Sequence, residues 1–111
     1  MRRGEVWWAR LPAPIGRRPV VLLSRDSAYS IRASVTVAPV TRTVYGIPVE
    51  VTLGAEDGLP KECVVNLDNI LTIPKSRLER ALSTLSRAKV TQIDAAIRFA
   101  LALVEPSTTS H

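Results

Sequence analysis

The stretch RRPVVLLSRD, residues 17–26, places two arginines and a proline ahead of four consecutive apolar residues. An apolar run without alternation is typical of a strand that is covered on both faces. Pro19 is compatible with a strand because it stands at the first position of the run, where proline is tolerated. The stretch therefore predicts a central strand with Arg17 and Arg18 at its entrance.

Short β-forming segments lie on both sides of this strand in the chain. They are residues 4–11, 34–41, 47–53, 62–67 and 70–74, and Gly- and Pro-containing segments separate them. In the first of them, Trp7 and Trp8 are adjacent and must face opposite sides, so one is expected in the core. Pro39 interrupts the segment that ends at Thr41, which indicates an edge, a bulge or a nearby strand end.

Apolar residues recur with the 3.6-residue period of a helix near the C-terminus. The series comprises Val90, Ile93, Ile97, Leu101 and Val104 within residues 87–104, and Ser86 is placed to cap the helix. We therefore expect a mainly β (β plus α) fold, with a small, strongly curved antiparallel sheet or SH3-like barrel and a C-terminal amphipathic helix. Residues 1–106 are expected to form one domain, and 107–111 a disordered polar tail.

Positive charge is concentrated in the first part of the chain. The 111 residues carry a net charge of +5, and residues 1–42 contain eight arginines against two acidic residues. The planar guanidinium group matches phosphate, so nucleic acid is the natural partner of such a cluster. A solvated basic surface with no specific partner is the alternative.

The composition also excludes several classes of protein. One cysteine and one histidine, His111 at the last position, support neither a disulfide nor a zinc site, and the position of the histidine argues against histidine-based catalysis. No apolar run is long enough to span a bilayer, and the N-terminus lacks the apolar segment of a signal peptide. We expect a soluble, cytoplasmic protein with no membrane partner.

Little of the familiar catalytic chemistry is available to this sequence. The acidic residues form no cluster typical of a metal-dependent nuclease, and the five glycines form no phosphate loop, so neither a metal nor a cofactor is expected. Cys63 has no histidine partner and lies in an apolar segment, which favours a buried structural thiol. What remains is arginine with hydroxyl groups, a combination suited to RNA, whose own 2′-hydroxyl can act as the nucleophile.

Six stretches, taken in order and spacing, resemble a known family. They are RRGEVWWARL (2–11), RRPVVLLS (17–24), VTVAPVT (35–41), IPVEVTL (47–53), VVNLDNILTIPKSRL (64–78) and FALALV (99–104). Together they resemble the MazF/PemK-type toxins, which are metal-independent endoribonucleases of bacterial type II toxin–antitoxin pairs. The resemblance covers residues 2–104. The sequence departs from the family in its short PAPIG loop (12–16) and in Cys63, where serine is common.

The resemblance implies a catalytic pair, Arg18 and Thr41. Arg18 would stabilise the phosphorane and protonate the leaving 5′-oxygen, while Thr41 would donate a hydrogen bond to a phosphate oxygen. The products of sequence-specific cleavage of single-stranded mRNA would be a 2′,3′-cyclic phosphate and a 5′-hydroxyl. Pro19 would fix the angle at which Arg18 leaves its strand.

The resemblance also implies an RNA groove and partners. Family positions in the groove correspond to Arg25, Ile47, Cys63 and Asn69, and charge and position add Arg17 and Arg42. The apolar alternation favours core positions for Ile47 and Cys63 over a role in the groove. The family implies a homodimer and a cognate antitoxin whose disordered acidic tail occupies the groove.

Two other functions remain open on the sequence. One is a non-enzymatic toxin of the same fold that inhibits DNA gyrase, although the ending EPSTTSH (105–111) lacks the Trp-Gly-Ile of such toxins. The other is a non-catalytic nucleic-acid-binding barrel, which would use aromatic residues to stack bases.

Overall fold

The computed structural model describes residues 1–103. Within them the chain forms strands β1 (Glu5–Arg10), β2 (Arg17–Leu22), β3 (Ser34–Thr41), β4 (Glu50–Leu53), β5 (Cys63–Asn66), β6 (Leu71–Pro74) and β7 (Leu78–Thr84), followed by helix α1 (Arg87–Ala100). Four 3-10 turns connect them, at Asp26–Ala28, Ala55–Asp57, Leu67–Asn69 and Lys75–Arg77. The expected polar tail (107–111) and the helical position Val104 lie outside the described residues. The mainly β fold class is confirmed.

All strand pairs are antiparallel, and β3 is the centre of the sheet. The strands follow the order β4-β5-β3-β2-β1-β7, and β6 pairs separately with β3. One edge of β3 therefore has two partners in turn, β6 along Ser34–Val37 and β5 along Val40–Thr41. Pro39 lies between these two segments, so its missing N–H falls where the strand changes partner. Thr41 is the last residue of β3, as the proline predicted.

Strand β2, the central strand predicted from residues 17–26, is buried on both faces. Val20 and Leu22 belong to one apolar cluster, while Val21, between them, belongs to the other. The second cluster also contains the buried residues of α1, Ile93 and Ala96. The continuous apolar run thus reflects a sheet with a core on each side, and the helix covers one of them.

Helix α1 begins as the sequence predicts but ends earlier. The Ser86 hydroxyl accepts a hydrogen bond from the Lys89 backbone N–H at 3.2 Å, which confirms the cap. The helix ends at Ala100, four residues short of the expected 104. Ala102 has a left-handed φ of 55°, and the Leu103 N–H donates to the Arg98 carbonyl at 2.8 Å. This is a Schellman termination, which stops the helix although no glycine is present.

Strand β7 was not predicted from the sequence. It pairs with β1 and forms an end of the hydrogen-bonded path, with β4 at the other end. Its residues, LERALST, are mostly strong helix formers, so pairing with β1 overrides local propensity. Strand β4 begins at Glu50 rather than at residue 47. None of the helices in residues 1–103 is long and apolar enough to cross a membrane.

Candidate nucleic-acid interface

A groove of about 680 Å³ opens where β2 begins and β3 ends. Its cationic lining consists of Arg17, Arg18, Arg42, Lys61 and Arg80. Hydroxyl groups come from Thr41 and Thr43, and the apolar walls from Trp8, Pro19, Leu59, Cys63 and Leu82, among others. None of the described residues that line it is acidic. The groove is therefore a positively charged channel with apolar walls. This combination suits the phosphates and bases of a single-stranded nucleic acid.

The register of β2 and β3 brings Arg18 and Thr41 together. The recorded pairing ends with Val20 opposite Pro39. Continuing the same antiparallel count by two residues places Arg18 opposite Thr41, and residues opposite each other point to the same side of a sheet. Both side chains line the groove. The two predicted catalytic residues therefore lie at the start of β2 and at the end of β3, which are neighbouring strands.

The Arg18 side chain is partly buried and mostly unpaired. One Nη donates to the Ile15 carbonyl at 3.4 Å, which ties the guanidinium to the β1–β2 loop. Its Nε is buried and has no hydrogen-bond partner among residues 1–103. An unpaired buried donor costs roughly 1–3 kcal/mol, and the cost is larger for a charged group.

Thr41 ends β3 with its hydroxyl engaged from one side only. Its Oγ1 accepts a hydrogen bond from the Thr43 backbone N–H at 3.2 Å. That turn fixes the side chain at the point where the strand stops. Because a hydroxyl is also a donor, its proton remains available for an oxygen in the groove.

The groove arginines differ in their charge partners. Arg17 donates through Nε to Glu79 Oε1 at 2.6 Å, and the same carboxylate lies 3.4 Å from Arg10 Nε. Arg18 and Arg42, by contrast, form no ion pair with any residue in 1–103.

Two further groove cations, Lys61 and Arg80, are likewise without an ion pair in that part of the chain. Four unneutralised cations therefore surround the groove. Sequence reasoning missed these two because they stand in segments that carry no motif. It also missed Trp8 as a groove residue, since either tryptophan of the pair could have faced the core.

The two tryptophans separate as expected. Trp7 packs against the cluster that contains Val20, and its indole N–H donates to Glu5 Oε1 at 2.9 Å. Trp8 faces the groove, where the Arg17 guanidinium lies over its ring at 4.1 Å from the centroid. The Trp8 indole N–H is buried and has no hydrogen-bond partner in the described part of the chain.

Cys63 touches the groove but is 4% exposed. Burial and the nearby Asp57 charge raise the pKa of its thiol, although Arg42 acts in the opposite direction. Its Sγ donates to the Leu53 carbonyl at 3.7 Å. The thiol is therefore neutral and packed, and it contributes shape to the groove wall rather than a nucleophile.

Three predicted site residues lie away from the groove lining. Arg25 is exposed beyond the opposite end of β2, and Asn69 is exposed at the end of the 3-10 turn Leu67–Asn69. Ile47 is 40% exposed in the segment between β3 and β4. A role for them in binding RNA stays a prediction.

The segment between β3 and β4 is held by one carboxylate. Glu50 accepts hydrogen bonds from the backbone N–H groups of Tyr45, Gly46 and Ile47, the shortest at 2.8 Å. Desolvation raises the pKa of Glu50, but these three donors outweigh it, and the pKa is lowered overall. The clasp fixes the chain that follows the groove residues Arg42 and Thr43.

No group of three or more potential metal ligands occurs in residues 1–103. The groove therefore offers arginine and hydroxyl groups, whose chemistry is to bind a phosphate and to stabilise charge that develops on it.

Comparison with known proteins gives a consistent result. Residues 2–101 match the family of PemK-like, MazF-like toxins of type II toxin–antitoxin systems. The chain is 43% identical over 91 residues to a probable endoribonuclease MazF2 of Mycobacterium tuberculosis, covering 81% of this chain and 87% of the relative. It is 40% identical over 100 residues to a probable endoribonuclease MazF5 of the same species, covering 89% and 91%.

Solved structures agree in fold. The M. tuberculosis toxin MazF-mt6 superimposes with a TM-score of 0.85 at 35% identity, over 91% of this chain and 99% of that one. An endoribonuclease in complex with its cognate antitoxin, from a mycobacterial species, gives a TM-score of 0.83 at 30% identity, over 96% and 99%.

Proposed function

The chain belongs to the PemK-like, MazF-like toxins of type II toxin–antitoxin systems, and from that membership we propose that it is an endoribonuclease toxin that cleaves single-stranded mRNA without a metal. One observation supports the proposal most strongly. Arg18 and Thr41 line the same groove, at the start of β2 and at the end of β3. This arrangement suits a bent ribose phosphate.

The proposed reaction uses the nucleophile that RNA itself supplies. The 2′-oxygen attacks the adjacent phosphorus, the bond from phosphorus to the 5′-oxygen breaks, and a 2′,3′-cyclic phosphate and a 5′-hydroxyl result. The 2′-hydroxyl proton passes to water and the 5′-oxygen takes a proton from water, since none of the described groove residues carries a carboxylate or an imidazole. The protein then contributes orientation and charge stabilisation.

Arg18 and Thr41 act at the phosphorus. The Arg18 guanidinium donates two hydrogen bonds to the non-bridging oxygens, whose negative charge grows in the phosphorane. The Thr41 hydroxyl donates a third. We assign Arg18 to charge stabilisation rather than to proton donation because a guanidinium stays protonated in proteins.

Arg42, Lys61 and Arg80 hold neighbouring phosphates. All three line the groove without an ion pair in residues 1–103, so their charge is available to the strand. These contacts position the RNA but carry no sequence information. Sequence preference must therefore come from contacts to bases.

The same groove suits a cognate antitoxin. An acidic disordered segment would satisfy the four unneutralised cations and exclude RNA by occupying their site. We further propose a homodimer in the cytoplasm, where mRNA is available. Exposed apolar side chains support self-association, since Phe99, Leu101 and Leu103 at the end of α1 are all more than half exposed.

End mapping tests the proposed activity. The protein, purified free of antitoxin, is incubated with a pool of random-sequence single-stranded RNA in EDTA, and the 5′-hydroxyl ends are ligated and sequenced. We expect ends that share a short sequence motif, together with 2′,3′-cyclic phosphates on the upstream fragments. Chelation should not change the rate because the proposed chemistry uses no metal.

Arg77→Ala is the matched control for the groove arginines, because Arg77 is exposed in the turn Lys75–Arg77 and does not line the groove. Its cleavage rate should equal that of the wild type. RNA that stays intact across the whole pool would overturn the nuclease proposal, whether or not the protein binds it.

A further inference from the structure

We propose that Arg17, stacked on Trp8 and held by Glu79, forms a shelf on which one nucleobase of the bound strand stacks. The proposal rests on the proposed function, since it assigns a base-binding subsite to the same RNA groove. It gives Arg17 a different role from that of the other groove arginines. Its ligand is the flat face of a nucleobase rather than a phosphate.

The shelf is already assembled in the free protein. The Arg17 guanidinium carbon lies 4.1 Å from the centroid of the Trp8 ring, a distance at which the two groups stack. The Arg17 side chain is 48% exposed, so solvent reaches the part of the group that Trp8 does not cover. Bases stack on guanidinium planes in RNA-binding proteins. A base on the open face would complete a three-layer stack of indole, guanidinium and nucleobase.

Glu79 already occupies one edge of the Arg17 guanidinium. Its carboxylate bonds Arg17 Nε at 2.6 Å and also lies 3.4 Å from Arg10 Nε. Arg17 therefore faces the groove with an anion already bound to one edge, and a second anion would compete with that carboxylate. Stacking needs only the face of the guanidinium, which the ion pair leaves open.

A β-bulge places Glu79 where its carboxylate can bind Arg17 and Arg10. Trp8 pairs with Arg80, and Ala9 pairs with Leu78, so Glu79 is the extra residue of β7. In a regular ladder Glu79 would pair with Ala9, whose side chain belongs to a core cluster. The bulge gives that position to Leu78 and lets the Glu79 carboxylate reach the arginines.

The shelf belongs to the same groove as the proposed catalytic pair. Arg17 precedes Arg18 in β2, and both residues line the groove with Thr41, although alternation along the strand points their side chains in opposite directions. A base on Arg17 therefore belongs to a nucleotide of the same bound strand as the cleaved bond. Stacking positions that nucleotide with little regard to which base it carries.

Binding of an uncleavable RNA tests the shelf without relying on catalysis. The probe is a 2′-O-methylated single-stranded RNA pool, which lacks the nucleophilic hydroxyl. Arg17→Lys keeps the charge but removes the plane, and we expect it to weaken binding about tenfold, because the base loses the surface on which it stacks. Arg77→Lys is the control, because Arg77 is exposed and does not line the groove. It should bind the RNA pool as the wild type does.

A second readout reports on the shelf directly. In a Trp7→Phe background, Trp8 is the sole tryptophan of the chain. Its emission should change as the RNA pool binds, and it should change less when Arg17→Lys is added. Equal binding by Arg17→Lys and the wild type, or a Trp8 emission that does not respond to RNA, would overturn the shelf.

The two proposals fail separately. A protein that cleaves RNA but shows neither shelf signal overturns the shelf alone. A protein that shows both signals but leaves cleavable RNA intact overturns the nuclease proposal alone.

Discussion

Arg17 and Arg18 are neighbours in the chain, yet different partners hold their guanidinium groups. Arg17 is bound by Glu79 and covers Trp8, whereas Arg18 keeps a buried Nε without a partner. Because they are consecutive residues of β2, their side chains point to opposite faces of the strand. The pair of arginines is visible in the sequence, but the division of roles depends on a carboxylate 62 residues away.

Glu50 is a second acidic residue whose role depends on the fold. In the sequence Glu50 lies between Val49 and Val51, and this alternation predicts an exposed position in a strand. In the structure its carboxylate binds three backbone N–H groups and closes the segment before β4. Local spacing could have suggested this clasp, since Gly46 lies only four residues earlier and can turn with a positive φ of 70°.

The clasp predicts a pH-dependent contribution to stability. The pKa of Glu50 is lowered from 4.5, so the folded state favours the charged carboxylate. Its contribution is present above pH 4.5 and is lost as the pH falls through the folded pKa. The free energy of unfolding of the wild type should exceed that of Glu50→Gln at neutral pH, and the difference should shrink in acid.

Amide chemical shifts measure this group directly. The N–H resonances of Tyr45 and Gly46 should titrate together with a midpoint below 4.5, and Glu50→Gln should abolish the titration. A midpoint at or above 4.5 would contradict the clasp.

Strand β7 shows where the sequence stops predicting the fold. The other six strands were expected, and β3 has the expected bounds, because β-branched residues and turn residues mark them. Residues 78–84 have no such pattern, and two register shifts against β1 break what alternation there is. Long-range pairing forms β7, and with it the groove residues Arg80 and Leu82 that no local pattern indicated.

Gly58 couples the segment before β5 to β7. It has a φ of 84°, and a Cβ added there would lie 2.6 Å from Ser83 Cβ. The Ser83 hydroxyl donates to the Asp57 carbonyl at 2.7 Å, so this contact is part of how β7 packs. Close approach and positive φ both require glycine.

Gly58→Ala should therefore lower the free energy of unfolding by about 2–4 kcal/mol, from left-handed strain and from the clash. Gly16→Ala is the control, because Gly16 has a φ of 72° but nothing within 4 Å of the added Cβ. It should lose only about 1–2 kcal/mol. Urea denaturation measures both, and equal losses would show that the contact with Ser83 can relax.

The distribution of charge over the molecule matches the groove. The ion pairs of Arg3 with Asp94 and of Lys89 with Asp57 lie outside the groove lining, while the groove itself keeps unneutralised cations. The sequence predicted a basic protein but placed the charge in residues 1–42. Lys61, just before β5, and Arg80, in β7, join the groove only after β5 pairs with β3 and β7 pairs with β1.

The position of the proposed catalytic pair depends on the register between β2 and β3. The order of the strand motifs carried the resemblance to the toxin family, and Arg18 lies opposite Thr41 if the antiparallel count is extended by two residues from Val20 and Pro39. Sequence alone could not supply that count, because it depends on which strands pair. The proposed chemistry depends on this opposition, since it needs both groups at one phosphorus.

A double-mutant cycle on cleavage tests whether Arg18 and Thr41 act on one phosphate. Rates on one cleavable RNA are compared for the wild type, Arg18→Ala, Thr41→Val and the double variant, each with an unchanged melting temperature. We expect Arg18→Ala to lose at least about 100-fold. The double variant should lose far less than the product of the single losses, because the two groups act on one phosphate as a unit. Fully multiplicative losses, or Arg18→Ala cleaving at the wild-type rate, would contradict the account.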